Sequence, residues 1–502
     1  MNNPTPDGYL GSDARISSGP APELVAAGYA LELADAPLLH DGLLYADLAH
    51  VIGLHECGIL DARTARSLLS GLLEMGTIPV EEFPYDVMLG DAYNSREKEL
   101  DRRLGTTAGY VHFGRTRREA GRIAFRLAIR DRIEQLAFAT SNLVDALCNR
   151  ADELADAAWA DVTYLQLAQP STFGHYLASF AEEMARHLPR LRAAHVWVDT
   201  SPAGSGGVAG TRMSLNRSRL AQLLGFTAVG RNTRDTMWTI DGLIDVTAAA
   251  THTVITADRL AEDLQIFASA GFGLVTVDAS LCRASVLMPQ KRNPYALSVI
   301  RAGASTIIGR LTGTVATART PSAATDNWLH SYGEVASSLE LATTLVELAT
   351  VVVQTLVVNR EALAASAADQ QTAATDVADE LVLVGGLDYR TAYRIVGRVI
   401  ATAISTSSRM SMAMLEQAAL EITGIELPEA AKAIDLDSIL SVAAIIESRH
   451  ESGGCSPQSV RAEIASLREV TATERSWFNQ HREHEQSAIA ALVERANELS
   501  NS

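Results

Sequence analysis

The feature that most constrains this chain is helical periodicity held over long stretches. Between residues 239 and 269, Ile240, Leu243, Ala250, Val254, Ala257, Ala261 and Leu264 recur at the three- and four-residue spacing that lines one face of a helix. Residues 115–150, 152–196, 294–311 and 333–358 read the same way. With 15 prolines in 502 residues, few breakers interrupt these patterns. Only 5% of residues are aromatic, so the core must be assembled from Ala, Leu, Val and Ile. Alanine on a helix face lets two axes approach closely. Long Ala-rich helices with short connectors predict an all-α bundle. They are longer than one chain's core requires, which predicts that some pair with helices of other copies.

Punctuation divides the chain. Residues 1–25 are rich in Pro, Gly, Ser and Asp and predict a mobile arm, with helix taking over from Ala30. Asp61 is placed to cap a helix over 62–75. Pro79, Pro84 and Gly90 mark a loop before a helix that starts near Asp91. Gly385-Gly386 breaks a later helix, and residues 474–502 form a charged helical tail. Strand signals are sparse. The expected domains are 1–116, a central bundle over 117–369, and 370–502.

A formal net charge of −18 repels nucleic acid and anionic lipid, so neither is an expected partner. It does not preclude a small anionic substrate in a locally cationic pocket. No apolar run approaches the ~20 residues of a membrane span. Four scattered cysteines without metal-binding spacing, and an N-terminus without the blocks of a signal peptide, predict a reduced cytoplasmic protein.

Chemistry concentrates in four stretches: GDAYNSRE (90–97), VHFGRTRRE (111–119), VTYLQLAQP (162–170) and ASVLMPQKRNP (284–294). Guanidinium forks such as those of Arg115, Arg117 and Arg118 can clamp carboxylates. The last stretch holds Ser285, Lys291 and Asn293 beside an apolar run and two prolines.

These stretches resemble the argininosuccinate lyase branch of the fumarase/aspartase superfamily. ASVLMPQKRNP is similar to that superfamily's GSSxMPxKxNP loop, HFGRTRRE to HTGRSRND, and TYLQLAQP to THLQxAQP. Further counterparts follow in order: SPAGSGGVAGT (201–211), RNTRD (231–235), DRLAEDL (258–264), ATDVADELV (374–382) and RHESGGCSPQSVR (449–461). The resemblance implies three helical domains in a homotetramer with a twenty-helix core. It also implies active sites shared between subunits and reversible elimination of an amine from an aspartate-like skeleton, without metal or organic cofactor. Ser285 falls on the base, which removes a proton beside a carboxylate; fixed cations must then stabilise the resulting aci-carboxylate. Lys291, Asn293, Arg115, Thr116, Arg117, Arg118, Thr163, Gln166 and Asp91 fall on positions near the substrate. Gly204, Ser205 and Gly206 are expected to build a turn, and His112, His175 and His252 to be structural.

The departures are informative. The family's THLQ histidine, which helps protonate the leaving nitrogen, is Tyr164 here, and the glutamate that polarises it is Ser298. Both halves of one relay are replaced together; either the Tyr164 hydroxyl substitutes for it, or the leaving group departs already protonated or with a pKa below an alkylamine's and needs no strong acid. The histidine of Asp-x-His-Thr is missing from Asp91-Ala92-Tyr93-Asn94, and Arg118 replaces an asparagine, which suggests a more anionic substrate or one displaced in the pocket. The set that holds the arginine-derived half has no match in PSAATDNWLHSYGE (321–334), where Trp328, His330 and Tyr332 suggest a different wall. The reading is a carbon–nitrogen lyase acting on an N-substituted aspartate-like dicarboxylate. Its alternatives are argininosuccinate lyase proper, a different leaving group, or a non-catalytic tetramer.

Overall fold

The computed structural model describes Tyr9 and residues 14–324 and 330–502; Trp328 and the first part of the predicted arm other than Tyr9 lie outside the described residues. The principal elements are α1 (Ala36–Glu56), α2 (Ala62–Met75), α3 (Ala92–Leu104), α4 (Arg117–Glu153), β1 (Ala158–Thr163), β2 (Gln166–Thr172), α5 (Phe173–Ala185), α6 (Leu188–Val198), α7 (Asp241–Phe267), β3 (Arg283–Ala284), β4 (Arg292–Asn293), α8 (Tyr295–Thr317), α9 (Tyr332–Thr355), α10 (Ala374–Leu383), α11 (Tyr389–Thr406), α12 (Met412–Thr423) and α13 (Pro457–Asn501). The all-α class is as expected; the described strands form only two-stranded pieces.

The core is a bundle in which α4 packs on α9, and α7, α8 and α9 pack on one another. Small residues set its closeness. A Cβ at Gly42 of α1 would stand 2.6 Å from the Ala124 backbone of α4, so only glycine permits this crossing. Asp61 caps α2 as predicted, its carboxylate accepting the Thr64 N–H at 2.8 Å. In α4 the buried face carries arginines, and the bundle accommodates them by turning helix ends toward them. Arg126 donates to Trp197 O and Thr200 O at 2.7 and 2.8 Å, satisfying carbonyls at the end of α6. Arg130 meets Gly225 O at 2.8 Å and Asp199 at 2.9 Å.

Four expectations are corrected. Residues 152–196 are not one helix: β1 and β2 form an antiparallel hairpin, followed by α5 and α6. Helix begins before Ala30, with Pro22–Leu24 already helical and proline at its permissive first position. Residues 370–502 do not pack as one body. Val377 to Ala431 make a second, smaller core, whereas Val460, Ile464, Phe478 and Leu492 of α13 belong to the main one. Finally, α9 is long and apolar enough to cross a membrane by length and composition, contrary to the reading of the sequence. Here its buried residues, such as Val335, Leu339 and Val346, lie in the core against α4, α7 and α8.

Candidate active site

The N-terminal end of α4 opens into a small cleft lined by Glu32, Asp35, Asp91, Tyr93, Arg117, Arg118 and Tyr332, with Leu39 and Leu43 behind them. Thr116 starts the helix, its hydroxyl accepting the Glu119 N–H at 3.3 Å and donating to Gly206 O at 3.4 Å. Successive residues of this first turn therefore face different surroundings. Arg117 points its Nε at Asp91, 3.5 Å away, and keeps much of its side chain exposed. Arg118 donates two hydrogen bonds to the Glu32 carboxylate, at 2.6 and 3.2 Å. The extra cation is thus answered within the chain, and its presence does not by itself make the cleft suited to a more anionic substrate.

Asp91 has two contacts. Its Oδ1 caps α3 by accepting the Asn94 N–H at 2.9 Å, and its Oδ2 faces Arg117. Burial raises its pKa, opposed by Arg117 and the Asn94 N–H. Asp35 immediately precedes α1 and accepts the Gly333 N–H at the start of α9; burial, with the Glu32 charge adding to it, pushes its carboxyl up to about 7. Among the described residues no cation lies within ion-pair range of Asp35. Tyr332 closes the cleft from α9, its ring stacked on Phe125 with centroids 4.2 Å apart.

Arg115 departs from the expected open clamp. Its guanidinium is buried, ion-paired with Asp47, and donates to Ala46 O at 2.9 Å and Tyr93 Oη at 3.1 Å. It locks α1 and α3 to the loop before α4 and offers no face to the cleft. Glu119 is also buried, with Gly204 N–H and Gly206 N–H donating to its two oxygens at 2.7 and 2.6 Å. Burial pushes Glu119 up to about 7 against the pull of Arg115 and these donors. Gly206 has φ +65 and a Cβ there would stand 2.6 Å from Gly210 O, so the predicted turn requires glycine.

The other predicted residues stand on two hairpins, and none of them lines the cleft. Thr163 pairs with Gln166 at the end of β1–β2, and Tyr164 and Leu165 form the two-residue tip with φ 53 and 59. Non-glycine residues in this left-handed region cost about 1–3 kcal/mol each. The Tyr164 side chain is 99% exposed. Ser285 and Lys291 lie on the β3–β4 connection. Met288 N–H donates to Ser285 Oγ at 3.0 Å, and Asn293 Nδ2 donates to Arg283 O at 3.0 Å, tying the hairpin shut. Val286 and Leu287 project into solvent and Lys291 is exposed. Ser298 is exposed on the first turn of α8.

The histidines vary. His112 lies 3.4 Å from Glu97, which raises its pKa through that contact. His175 sits near Ser171 and Gly453 O. His252, expected to be a core or interface histidine, is exposed in this chain beside the His187 ring. Among the described residues, Glu134, His195 and Glu485 are the group whose atoms lie close enough to hold a metal ion. Arg130 lies 2.7 Å from the outer oxygen of Glu485, and Arg482 3.6 Å from that of Glu134. The His195 pKa is raised: burial opposes protonation, and the two glutamates outweigh it. A protonated His195 with the two arginines balances the charges of Glu134, Glu485 and Asp199, so the group is self-sufficient as an ion network.

Sequence reasoning missed Glu32 and Asp35. Their only local signal is two acids three residues apart, which share a face where the chain is helical.

Comparison with known proteins identifies the family. A lyase family model matches residues 64–309, and a model of the argininosuccinate lyase C-terminal region matches 371–447. The chain is 31% identical over 454 residues to an argininosuccinate lyase of Methanoculleus marisnigri, covering 90% of each chain. It is 30% identical over 457 residues to argininosuccinate lyase 1 of Mesorhizobium japonicum, covering 90% of this chain and 95% of the relative. Among solved structures, EDDS lyase in complex with formate is 26% identical with a TM-score of 0.86, covering 98% of both chains. A variant of that enzyme with bound fumarate superposes equally well, covering 96% of this chain and 97% of its own. The chain therefore belongs to the argininosuccinate lyase-like branch of the fumarase/aspartase superfamily and is a carbon–nitrogen lyase.

Proposed function

We propose that this lyase eliminates an amine from an N-substituted aspartate-like dicarboxylate to give fumarate, and adds the amine in reverse. Ser285 Oγ, acting as an alkoxide stabilised by the Met288 N–H and the Lys291 ammonium, takes the proton from the carbon beside a carboxylate and becomes the hydroxyl. The electron pair of that C–H bond passes into the carboxylate as an aci-carboxylate and then forms the double bond. The C–N bond breaks with its electrons on nitrogen, which receives a proton from the Tyr164 hydroxyl. Lys291, Asn293, Thr163, Gln166, Thr116 and Arg117 hold the carboxylates, and their fixed donors stabilise the dianion where water would do so poorly. Arg118 and Asp91 line the same site. No cofactor is required by this sequence of proton transfers.

The observation that carries this reading is the split of the candidate residues between one cleft and two exposed hairpin tips. Tyr164, Val286 and Leu287 are solvent-facing in a single chain, and so are parts of the helix faces at Ile308, Val315 and Val351. A homotetramer that buries these helix faces and brings the tips of neighbouring copies to each cleft would assemble the full set. The fumarate-bound state of the related EDDS lyase variant supports a dicarboxylate ligand.

The test is amine addition to fumarate over a panel of amines, followed by mass spectrometry, with sedimentation to establish the oligomer. The expected products are N-substituted aspartates. If no amine adds and no succinyl compound releases fumarate, the reading fails. A leaving group other than an amine then takes its place, as the replaced relay at Tyr164 and Ser298 would allow.

A further inference from the structure

The cleft contains one feature that neither proton transfer nor the fumarate half requires: the two-pronged pair between Glu32 and Arg118, at 2.6 and 3.2 Å. Both side chains line the cleft and both are largely withdrawn from solvent, with 16% and 23% of their side-chain surface exposed. A fork engaged in two charge-assisted hydrogen bonds is not available to a second carboxylate without breaking the first set.

The remaining charges favour the same outcome. Asp35 and Asp91 share the lining, so three carboxylates face two guanidiniums. Arg117 already faces Asp91, and Asp35 has no cation within ion-pair range among the described residues. A carboxylate on the amine would meet an occupied fork and an excess of this chain's own acids, whereas a neutral or cationic amine tail would meet neither penalty.

We infer that the Glu32–Arg118 pair is a specificity device that restricts the leaving amine to amines carrying no carboxylate. This rests on the elimination reading above. It assigns the amine side of that reaction to small, non-anionic amines and not to amino acids. Glu32 acts by holding Arg118 closed, so freeing the guanidinium should admit the excluded class.

The experiment compares the addition of methylamine and ethylenediamine to fumarate with that of glycine and β-alanine, as kcat/KM. In the unaltered protein the first pair should exceed the second by tenfold or more. Glu32→Gln should shrink that ratio at least tenfold, mainly through a lower KM for the amino acids. Glu32→Asp, which can keep the pair, should retain the original ranking. Arg118→Gln leaves Glu32 uncompensated and should widen the ratio, the opposite sign, so the inference can still be tested if one variant folds poorly. An unaltered protein that prefers amino acids, or a ratio indifferent to both charge changes, overturns the inference while the elimination reading stands. If the unaltered protein adds neither class, the elimination reading fails and takes this inference with it.

Discussion

The start of α4 and the tip of the β3–β4 hairpin carry candidate residues of the same reaction, yet they are built in opposite ways. At the first, charges are matched inside the chain: Arg115 with Asp47, Arg118 with Glu32, Arg117 with Asp91. At the second, Ser285 has a single local donor, the Met288 N–H, while Val286 and Leu287 stand in water. The β1–β2 tip resembles the second, with Tyr164 exposed on a strained two-residue turn. A preorganised cleft must hold its shape before substrate arrives, which calls for partnered charges. A base carried by a tip needs only local support, and its surroundings come from whatever the tip docks against.

That contrast can be broken by mutation. Ser285→Ala should lower turnover by about 10⁴-fold, the upper range for a general base, with no change in melting temperature. Normal turnover would remove Ser285 from the mechanism. Asp47→Ala should do the reverse, leaving the Arg115 charge buried and unpaired at a cost of about 3–4 kcal/mol of stability. Denaturant unfolding would measure it, and a loss below about 1 kcal/mol would mean that Arg115 is not the internal lock its contacts describe. Tyr164→Phe should fall between, lowering turnover about 10²-fold while leaving the hairpin intact. An unchanged rate with an alkylamine leaving group would eliminate the hydroxyl as the acid.

The same contrast separates what could be read in the sequence from what could not. Asp61, the long helices and the Gly204–Gly206 turn were legible because local rules decide them: a capping side chain, a repeating face, a backbone that needs glycine. The β1–β2 hairpin was not. Its tip is Tyr-Leu, with neither the glycine nor the asparagine that normally marks such a turn, so 152–196 reads as continuous helix. Motif order located Arg115, Arg117 and Arg118, but a motif does not say which guanidinium is buried. That depends on Asp47 and Glu32, far away in sequence. Asp35 was missed for the same reason.

A pH-dependent effect tests whether the cleft's partnered design has an exception. Among the described residues Asp35 is the lining carboxylate with no cation in ion-pair range, and its pKa of about 7 lies above the ordinary carboxylate value of 3.8. The folded state therefore binds more protons than the unfolded state between those two values, and stability falls as pH rises from about 4 to about 7. Below that window both states are protonated and the group contributes no slope; above it both are ionised and the loss is complete. Asp35→Asn keeps an oxygen for the Gly333 N–H but cannot ionise. It should therefore stabilise the protein by up to about 4 kcal/mol at pH 8 relative to its effect at pH 4. Thermal melts of both proteins at the two pH values measure the difference. Equal shifts at both would mean that Asp35 has a cationic partner in the assembled protein, and that the cleft completes its charge pairing only between chains.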